Sequence, residues 1–359
     1  MRIAQVTPRY APHIGGVEKF VQKISEELVK KGHEVKVLTA DAQKKESISD
    51  TLNGVTINRF FANGPFYYSR ELYKYLITYG KEFDIVHVHN FHTLLPVLCA
   101  KAKEAGQKFN LILMGHYHGK GSTPFTNILL KMGRNWFSLF YKQADFILCH
   151  TEYEKQLLIR HFQLKESMIK MIPSGVAVDE ISMAAPFSKT GKILLIVSRL
   201  EKYKNIHLAI RAMTYLPGDY KLCIIGEGPY RRNLYNLATS LVLDGRVNFL
   251  GHLSNEEVYR WYKTCDLVIN FSELEAFGLT VIEGLAAGKP VLVNNRTALS
   301  QLARRFEGVT AVDAWRLSSH QLAKVIEKRI EGQFCTPDLS DYKWEAIANK
   351  LENYYKTML

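Results

Sequence analysis

Short apolar runs alternate with longer amphipathic stretches along almost the whole of this chain. In the first half the apolar runs are RIAQV, EVKVLT, DIVHVH, NLILM, DFILCH and IKMIP. Between the first two lies EKFVQKISEELVKKG, whose apolar residues recur at helical spacing. Apolar, β-branched runs that alternate with helices are typical of parallel strands joined by crossover helices, so the pattern predicts an α/β fold.

The same pattern starts again after the loop-like stretch PSGVAVDEISMAAPFSKTGK. Its second set of strands is predicted at KILLIVS, YKLCIIG, RVNFL, DLVINF, KPVLVN and GVTAV. A chain of 359 residues is long for one core. We therefore predict two Rossmann-like, doubly wound domains, residues 1–180 and 190–341, that face a central cleft. The tail 342–359 reads as a helix that crosses back onto the first domain.

Composition excludes several classes of protein. The chain is 47% hydrophobic and 23% charged, and no run of 18 apolar residues predicts a membrane-spanning helix. The start MRIAQVTPRY lacks the pattern of a secretory signal, so we expect a cytoplasmic protein. Five scattered cysteines predict reduced, packed thiols. The net charge of +12 suits phosphorylated ligands or an anionic membrane. Nucleic acid is not expected, because basic and aromatic residues do not interleave.

Ligands of open parallel sheets bind beyond the carboxyl ends of the strands, so the loops there carry the candidate site. After the first strand, Gly15 and Gly16 precede a helix and would let backbone amides approach an anion. A tight turn is the alternative interpretation. The loop lacks the G-x-G-x-x-G spacing of dinucleotide oxidoreductases, which makes hydride transfer the lesser hypothesis.

The second half offers cations and carboxylates at the same kind of position. Arg199 and Lys204 follow the strand KILLIVS and would suit a diphosphate, although a solvated basic loop is the alternative. In ELEAFGLTVIEGLAAGKPV, Glu275 lies in a loop and Glu283 one turn into a helix predicted at 279–287. At the start of that helix Gly278, Leu279 and Thr280 offer close backbone approach and amides.

These segments resemble glycosyltransferase family 4, the retaining transferases of GT-B fold. The resemblance rests on the E-x7-E pair in EAFGLTVIE, on GLAAGKPV, SRLEKYKN and GEGP, and on GGVE near the start. It extends over essentially the whole chain through HVHNFHTLLP, GHYHG, ADFILCHTEYEKQLL, IPSGV, VNFLGHLSNEEV and WEAIANKLENYY. The chain departs from the family at NNRTALSQL, where a Gly-Gly-x-x-Glu loop is common.

The resemblance implies roles for single residues. Arg199 and Lys204 would contact the donor diphosphate, Glu283 the ribose and Glu275 the transferred sugar, with a glycine loop at Gly15 and Gly16. In the family a histidine near the anomeric centre follows the fourth strand of the first domain. Here the strand position favours His116, and His118 is the second candidate. A buried structural histidine is the alternative for both.

The resemblance also implies the reaction, which is transfer of a hexose from a nucleotide sugar of GDP-mannose or UDP-glucose type to an acceptor hydroxyl. No Asp-x-Asp pair occurs in the chain. We therefore expect neither metal nor other cofactor, with the cations and the helix end stabilising the leaving diphosphate. Two alternatives stay open. One is a non-catalytic GT-B subunit that binds a glycan or partner, and the other is a nucleotide-sugar epimerase or phosphorylase.

The span from Ala105 to Ala144 contains no Asp or Glu. It carries Lys108, Lys120, Lys131, Arg134 and Lys142 together with the aromatic residues Trp136, Phe137, Phe140 and Tyr141. This composition is typical of a helix at a membrane surface, and it would bring a peripheral enzyme to a glycan or lipid-linked acceptor. An ordinary core-packed helix with solvated lysines is the alternative interpretation.

Overall fold

The computed structural model describes residues 1–13, 15–42, 48–64, 66–119 and 124–359. They form two compact units. The first comprises Met1–Gly175 and Trp344–Leu359, and the second comprises Val176–Lys343.

In the first unit, strands and helices alternate as the sequence pattern predicts. Its elements are β1 (Arg2–Thr7), α1 (Gly16–Lys30), β2 (Glu34–Ala42), β3 (Ile48–Leu52), β4 (Val55–Phe61), α2 (Arg70–Tyr79), β5 (Ile85–His89), α3 (Leu95–Glu104), β6 (Asn110–Met114), α4 (Pro124–Tyr141), β7 (Phe146–Cys149), α5 (Glu152–Phe162) and β8 (Ile169–Met171). Within the described residues these strands form one sheet in the order β3-β4-β2-β1-β5-β6-β7-β8. Among these described strands, only the β3–β4 pair is antiparallel.

The second unit repeats the arrangement. Its elements are α6 (Val178–Met183), β9 (Lys192–Val197), α7 (Ile206–Ala212), β10 (Tyr220–Ile225), α8 (Arg231–Ser240), β11 (Val247–Gly251), α9 (Asn255–Thr264), β12 (Leu267–Asn270), α10 (Leu279–Ala286), β13 (Val291–Asn294), α11 (Ala298–Arg305), β14 (Val309–Val312) and α12 (Ser319–Glu331). All its strand pairs are parallel, in the order β11-β10-β9-β12-β13-β14. The prediction of two doubly wound α/β domains is confirmed.

Both sheets are covered on both faces, which explains why their strands read as continuous apolar runs. On β6, Leu111 and Leu113 join one buried cluster, whereas Ile112 and Met114 join the cluster on the other face. Consecutive strand residues point to opposite faces, so each strand feeds both cores. Each such side chain, fully buried, contributes about 1.5 to 3 kcal/mol to folding.

The antiparallel hairpin of β3 and β4 was not predicted from the sequence. Its turn is Asn53-Gly54, and both residues have positive φ angles, 52° and 80°. An Asn-Gly pair between alternating residues is a known hairpin signal, so TLNGVTI carried the information.

The C-terminal helix α13 (Trp344–Lys356) follows the second unit along the chain but belongs to the first. Its buried residues Ile347, Leu351 and Tyr355 share a core cluster with Phe20 and Ile24 of α1. Helical spacing places these three side chains on one face, which explains why the helix packs against α1.

Helix α4 has one buried and one exposed apolar face. Phe137 and Tyr141 lie in the core of the first unit. Four other apolar side chains are exposed to solvent, namely Ile128, Met132, Trp136 and Leu139. Lys131 and Lys142 are exposed beside them, whereas Lys120 lies outside the described residues. Spacings of four, four and three residues put the exposed apolar side chains on the same side of the helix.

Candidate active site

The second sheet has its topological switch point between β9 and β12. From β9 the chain builds outward through β10 and β11, and it then returns to place β12 on the other side of β9. The loops after β9 and β12 therefore diverge at the carboxyl edge of the sheet and leave a crevice, the usual ligand site of such sheets.

Two predicted residues meet at this crevice. Lys204 ends a single turn of 3-10 helix after β9, and Glu275 lies in the loop after β12. Lys204 Nζ donates a hydrogen bond to Glu275 Oε1 at 2.5 Å, and the side chains are only 15% and 18% exposed. Burial by itself would lower the pKa of Lys204, but the Glu275 carboxylate outweighs burial and raises that pKa. Lys204 therefore carries a full positive charge beside the crevice.

Main-chain and amide contacts hold the same two loops together. The N–H of Glu273 donates to the carbonyl of Tyr203 at 3.0 Å, and Asn205 Nδ2 donates to the carbonyl of Phe271 at 3.1 Å. The position of the Lys204–Glu275 pair is thus set by the backbone on both sides of the switch point.

Arg199 makes its side-chain hydrogen bond to a different carboxylate. Its side chain is 70% exposed, and its Nη2 donates to Glu201 Oε1 at 2.9 Å. A long, exposed guanidinium with one surface partner can reorient at small cost, because surface ion pairs contribute little.

Glu283 lies on α10, which the structure ends at Ala286. Its Oε2 accepts a hydrogen bond from the hydroxyl of Tyr262 at 2.8 Å. Tyr262 is fully buried, and burial together with the Glu283 charge raises its pKa well above the usual value. The tyrosine therefore remains a hydrogen-bond donor at physiological pH and fixes the carboxylate.

The N-terminus of α10 is built as the sequence predicts. Gly278 precedes it with φ of 96°, and a Cβ there would lie 2.8 Å from Leu299, so only glycine fits. The hydroxyl of Thr280 accepts a hydrogen bond from Asn270 Nδ2 at 2.9 Å. The backbone amides of Leu279 and Thr280 belong to the first turn, whose N–H groups have no intrahelical acceptor.

The loop after β9 is also held by the GEGP turn. A Cβ on Gly226 would lie 2.1 Å from the carbonyl oxygen of Ser198, and one on Gly228 would lie 2.5 Å from that of Leu200. The N–H of Leu200 donates to the carbonyl of Glu227 at 2.9 Å. Close backbone approach explains both glycines.

In the first unit, Gly15 and Gly16 lie after β1, beside the switch point between β1 and β5. Gly15 is fully extended, with φ of 179°. Glu18 contacts Gly15 closely, since a Cβ there would lie 2.2 Å from Glu18 Oε2. The same carboxylate pairs with Arg9 at 3.1 Å. An anion bound at this helix N-terminus would therefore lie beside the Glu18 carboxylate and compete with it for the same positive charge. The sequence prediction assigned no role to Glu18.

His116 follows β6 in a left-handed conformation, with φ of 45°. Such a conformation is uncommon outside glycine and often occurs at functional sites. Its Nε2 lies 3.2 Å from His89 Nδ1, and its Nδ1 lies 3.0 Å from His150 Nε2. Burial lowers the pKa of His116 well below the usual value, so the ring is neutral.

His118 is half-buried two residues further on. Its ring lies 5.1 Å from that of His92, centroid to centroid. The structure thus assigns the two predicted histidines to different surroundings, and His116 lies in the larger histidine cluster.

Glu154 of α5 holds the backbone around His116. Its two carboxylate oxygens accept hydrogen bonds from the N–H of Tyr117 at 2.6 Å and of His150 at 2.8 Å. Burial raises the pKa of Glu154 to about 7. A Cβ on Gly115 would lie 2.4 Å from Glu154 Oε1, so the carboxylate sits directly against this loop.

Several of these residues were not predicted as parts of the site. They are His89, His150, Glu154 and Tyr262. The runs DIVHVH and ADFILCHTEYEKQLL contain three of them, but these runs served only for the strand pattern and the family resemblance, and the three residues were given no role of their own. Within the described ranges, no group of three or more His, Cys, Asp or Glu side chains is arranged to hold a metal.

Two parallel α/β domains of this kind define the GT-B class of glycosyltransferases. Two family models match the chain in succession, Glycosyltransferase Family 4 over residues 14–180 and Glycosyl transferases group 1 over residues 178–348. The chain belongs to glycosyltransferase family 4, and it is a glycosyltransferase. The predicted family, fold class and enzyme class are confirmed.

Known proteins resemble this chain in sequence or in structure. The alpha-monoglucosyldiacylglycerol synthase of Streptococcus pneumoniae is 26% identical over 95% of this chain and 80% of its own length. Sucrose-phosphate synthase from Thermosynechococcus elongatus superposes with a TM-score of 0.76 at 20% identity, covering 99% of this chain and 98% of that one. HepE of Anabaena, solved with UDP-glucose, gives a TM-score of 0.73 at 18% identity, covering 100% and 98%.

Proposed function

We propose that the chain is a retaining, metal-independent glycosyltransferase that moves a hexose from a nucleotide sugar to an acceptor hydroxyl. The observation that carries the proposal is the Lys204–Glu275 pair at the switch point of the second sheet, with Glu283 on the helix that follows. A cation, a helix N-terminus and two carboxylates at one sheet edge provide for the diphosphate, the ribose and the hexose of a nucleotide sugar.

In this proposal the diphosphate lies against Lys204, Arg199 and the amides of Leu279 and Thr280. Cations and a helix N-terminus favour an anion, and Arg199 can bind in forked fashion. Glu283 accepts hydrogen bonds from the ribose hydroxyls, and Glu275 faces the hexose. The donor is of UDP-glucose or GDP-mannose type, and the Anabaena structure solved with UDP-glucose supports the first.

The reaction breaks the bond between the anomeric carbon and the β-phosphate oxygen, and the electron pair stays on the phosphate. The acceptor oxygen bonds to the same carbon from the same face, and its proton leaves with the nucleoside diphosphate. Charge that develops on the diphosphate is stabilised by Lys204, Arg199 and the start of α10. Such preorganised electrostatic stabilisation is commonly the largest catalytic effect.

Retention and metal independence are proposed from the resemblance of the Glu275–Glu283 segment to the family. In the first unit, we propose for the glycine loop at Gly15 and Gly16 and for His116 the roles that the resemblance implies. We also propose that the first domain binds the acceptor and the second domain binds the donor.

For the acceptor we propose a lipid-linked glycan at the cytoplasmic face of a membrane. The pneumococcal relative is named for a glucosylated diacylglycerol. In this chain α4 exposes Ile128, Met132, Trp136 and Leu139 beside lysines, in a span without a single acid. An apolar face flanked by cations suits an anionic bilayer surface. No helix among the described residues combines the length and apolar character needed to span a bilayer.

The function is tested by incubating the purified chain with UDP- and GDP-linked hexoses and glucosylated or unglycosylated lipid acceptors, with and without EDTA. We expect a glycoside whose anomeric configuration equals that of the donor, formed equally well in EDTA. Inverted product, or activity lost in EDTA and restored by magnesium, contradicts retention or metal independence respectively. Donor binding without any product favours the non-catalytic subunit, and a changed free nucleotide sugar favours the epimerase.

A further inference from the structure

A continuous hydrogen-bonded chain of buried side chains links His116 to the C-terminal helix. Tyr355 of α13 lies at one end, where its hydroxyl is 2.7 Å from His87 Nδ1 and 3.3 Å from Gln5 Nε2. Gln5 Oε1 lies 2.7 Å from His89 Nε2. The chain thus reaches from α13 across β1 to the end of β5.

From His89 the chain continues through His116 to His150, the two ring-to-ring links already described. It ends where His150 Nδ1 lies 3.1 Å from the carbonyl oxygen of Ile172. Phe20 packs against all three rings, with centroids 5.4 to 5.9 Å away. Phe20 thus shields one side of the three rings, of which His89 and His150 are buried and His116 is half-buried.

The number of N–H protons limits the directions in which these linked side chains can donate their hydrogen bonds. Four hydrogen bonds connect the Gln5 amide, three rings and the Ile172 carbonyl, but three neutral imidazoles supply only three N–H groups. The carbonyl accepts only, so His150 must carry its proton on Nδ1. Either one ring is a cation, or Gln5 supplies the fourth donor from its NH2 group.

Burial favours the neutral arrangement. It lowers the pKa of His150 to about 4 and that of His89 well below the usual value. An imidazolium without a carboxylate partner in such surroundings is strongly disfavoured. Because a carboxamide keeps its shape on a half-turn, its NH2 can take the position facing His89 without other movement.

The other end of the chain leads to the same arrangement independently. Within the described residues, no partner lies within hydrogen-bond reach of the buried His87 Nε2. A lone pair left there costs less than an orphaned N–H. His87 therefore donates from Nδ1 to Tyr355, whose hydroxyl donates to the Gln5 oxygen and leaves the NH2 group for His89.

We infer that Gln5 presents its NH2 group to His89 and that His87, His89, His116 and His150 all carry their proton on Nδ1. Every link then points the same way, from His87 to the Ile172 carbonyl. Both nitrogens of His116 are occupied, so this ring is held in place and is neither acid nor base. Gln5, His89, His150 and Tyr355 are positioning residues for His116, and their effect on turnover rests on the proposed function.

The tautomers are tested by NMR of the whole chain labelled with 15N-histidine. Each histidine signal is assigned by finding which one disappears when that histidine alone is replaced by Gln. We expect four neutral Nδ1–H rings between pH 6.5 and 8. An Nε2–H tautomer or an imidazolium among the four overturns the inference, whatever the activity. The variant Gln5→Glu, which offers acceptors only, is expected to make one ring take up a proton.

The positioning role is tested with Tyr355→Phe against Tyr354→Phe. The Tyr354 hydroxyl donates a hydrogen bond to the carbonyl of Met171 at 3.2 Å and is not part of the series of hydrogen bonds that leads to His116. We expect Tyr355→Phe to lower kcat about tenfold with the donor KM unchanged, and Tyr354→Phe to have no effect. Equal kcat in the two variants contradicts the role. If wild type has no transferase activity, the proposed function fails while the tautomers still decide this inference.

Discussion

Lys204 and Glu275 are joined by a 2.5 Å hydrogen bond between Nζ and Oε1, although 71 residues separate them in the sequence. Each comes from a loop on a different side of the switch point in the second sheet. The pair therefore couples the residue proposed for the diphosphate to the residue proposed for the hexose. A bound donor would have to share the charge of Lys204 with Glu275.

The first prediction concerns Glu275. Glu275→Gln keeps an oxygen for Lys204, so we expect the free energy of unfolding to fall by only about 1 kcal/mol. We expect kcat to fall about a hundredfold, because a charge beside the reacting sugar is lost. The control is Glu273→Gln in the same loop, whose carboxylate lies 3.9 Å from Arg296. Steady-state kinetics that are alike in the two variants would count against the role of Glu275.

The second prediction concerns Glu283, whose expected effect is on binding rather than turnover. Glu283→Gln should weaken binding of the nucleoside diphosphate by roughly 1 to 3 kcal/mol, since charged hydrogen bonds to the ribose are lost. Tyr262→Phe should weaken it by about 1 kcal/mol because the carboxylate loses its buried donor. Calorimetric titration measures both, with the exposed Tyr235→Phe as control. Wild-type binding and turnover in both the Glu275 and Glu283 variants would remove the two carboxylates from the site.

The third prediction concerns lipid binding by α4. Replacing Met132, Leu139, Lys131 and Lys142 by Ser should abolish sedimentation with anionic vesicles at low salt. Two cations at about 1 kcal/mol each correspond to a roughly thirtyfold change in affinity, and apolar contact adds to it.

The control for α4 is Met183→Ser combined with Lys165→Ser and Lys170→Ser. Met183 is 77% exposed and Met132 is 78% exposed, so the two methionines are closely matched. Sedimentation that ignores lipid charge and salt, or that both sets of substitutions reduce alike, would leave only an acceptor in solution.

The fourth prediction concerns the loss of folding stability of the first unit at acidic pH. Burial lowers the pKa of His150 to about 4 and that of His87 to about 3. Below pH 6.5 the unfolded chain binds protons that the folded rings do not. The stability of the first unit is therefore complete above pH 6.5 and is lost as the pH falls toward 4, by roughly 3 kcal/mol for His150 alone.

Amide hydrogen exchange in α1 between pH 7.5 and 5 measures this loss, after correction for the intrinsic exchange rate. His150→Gln should reduce the pH dependence, whereas the exposed His13→Gln should leave it unchanged. A pH dependence that is the same in both variants would mean that His150 is protonated in the folded state.

The fifth prediction has the opposite sign and concerns Glu154. Its pKa is raised to about 7 in the folded protein, so the folded state retains a proton that the unfolded chain releases near pH 4.5. Stability from this group is present at low pH and is lost as the pH rises through 7, by roughly 3 kcal/mol.

Glu154→Gln removes this titration but leaves one backbone N–H without an oxygen, so the variant should be less stable at pH 5. The stability gap from wild type should narrow as the pH rises to 8, as measured by exchange of α5 amides. Glu152→Gln, in the first turn of the same helix, serves as control. A gap that stays constant from pH 5 to 8 would show that Glu154 is ionised throughout.

Much of the architecture was predictable because strand and helix periodicity is a local property. The strands predicted at RIAQV and KILLIVS are β1 and β9, and the short helix predicted at 279–287 is α10, which ends one residue earlier. The hairpin of β3 and β4 was missed although its Asn53-Gly54 turn was readable. That Gly278 directly precedes the helix was predictable because a strand, a glycine and a helix start follow one another closely in the chain, whereas its approach to a donor stays a prediction.

The hydrogen-bond partners of the side chains, in contrast, do not follow from local sequence patterns. The sequence by itself determined that Lys204, Glu275 and His116 follow strands and that Glu283 lies on the helix after one of them, since connection order and strand direction place such segments at the carboxyl edge of their own sheet. Only the tertiary structure decided that Lys204 meets Glu275, that Tyr262 holds Glu283, and that Gln5 meets Tyr355 across 350 residues. Periodicity shows which face of an element is buried, but a hydrogen-bond partner depends on which elements become neighbours and at what register. The protonation of the buried histidines depends on that same packing, because burial and the number of available donors are properties of the assembled core.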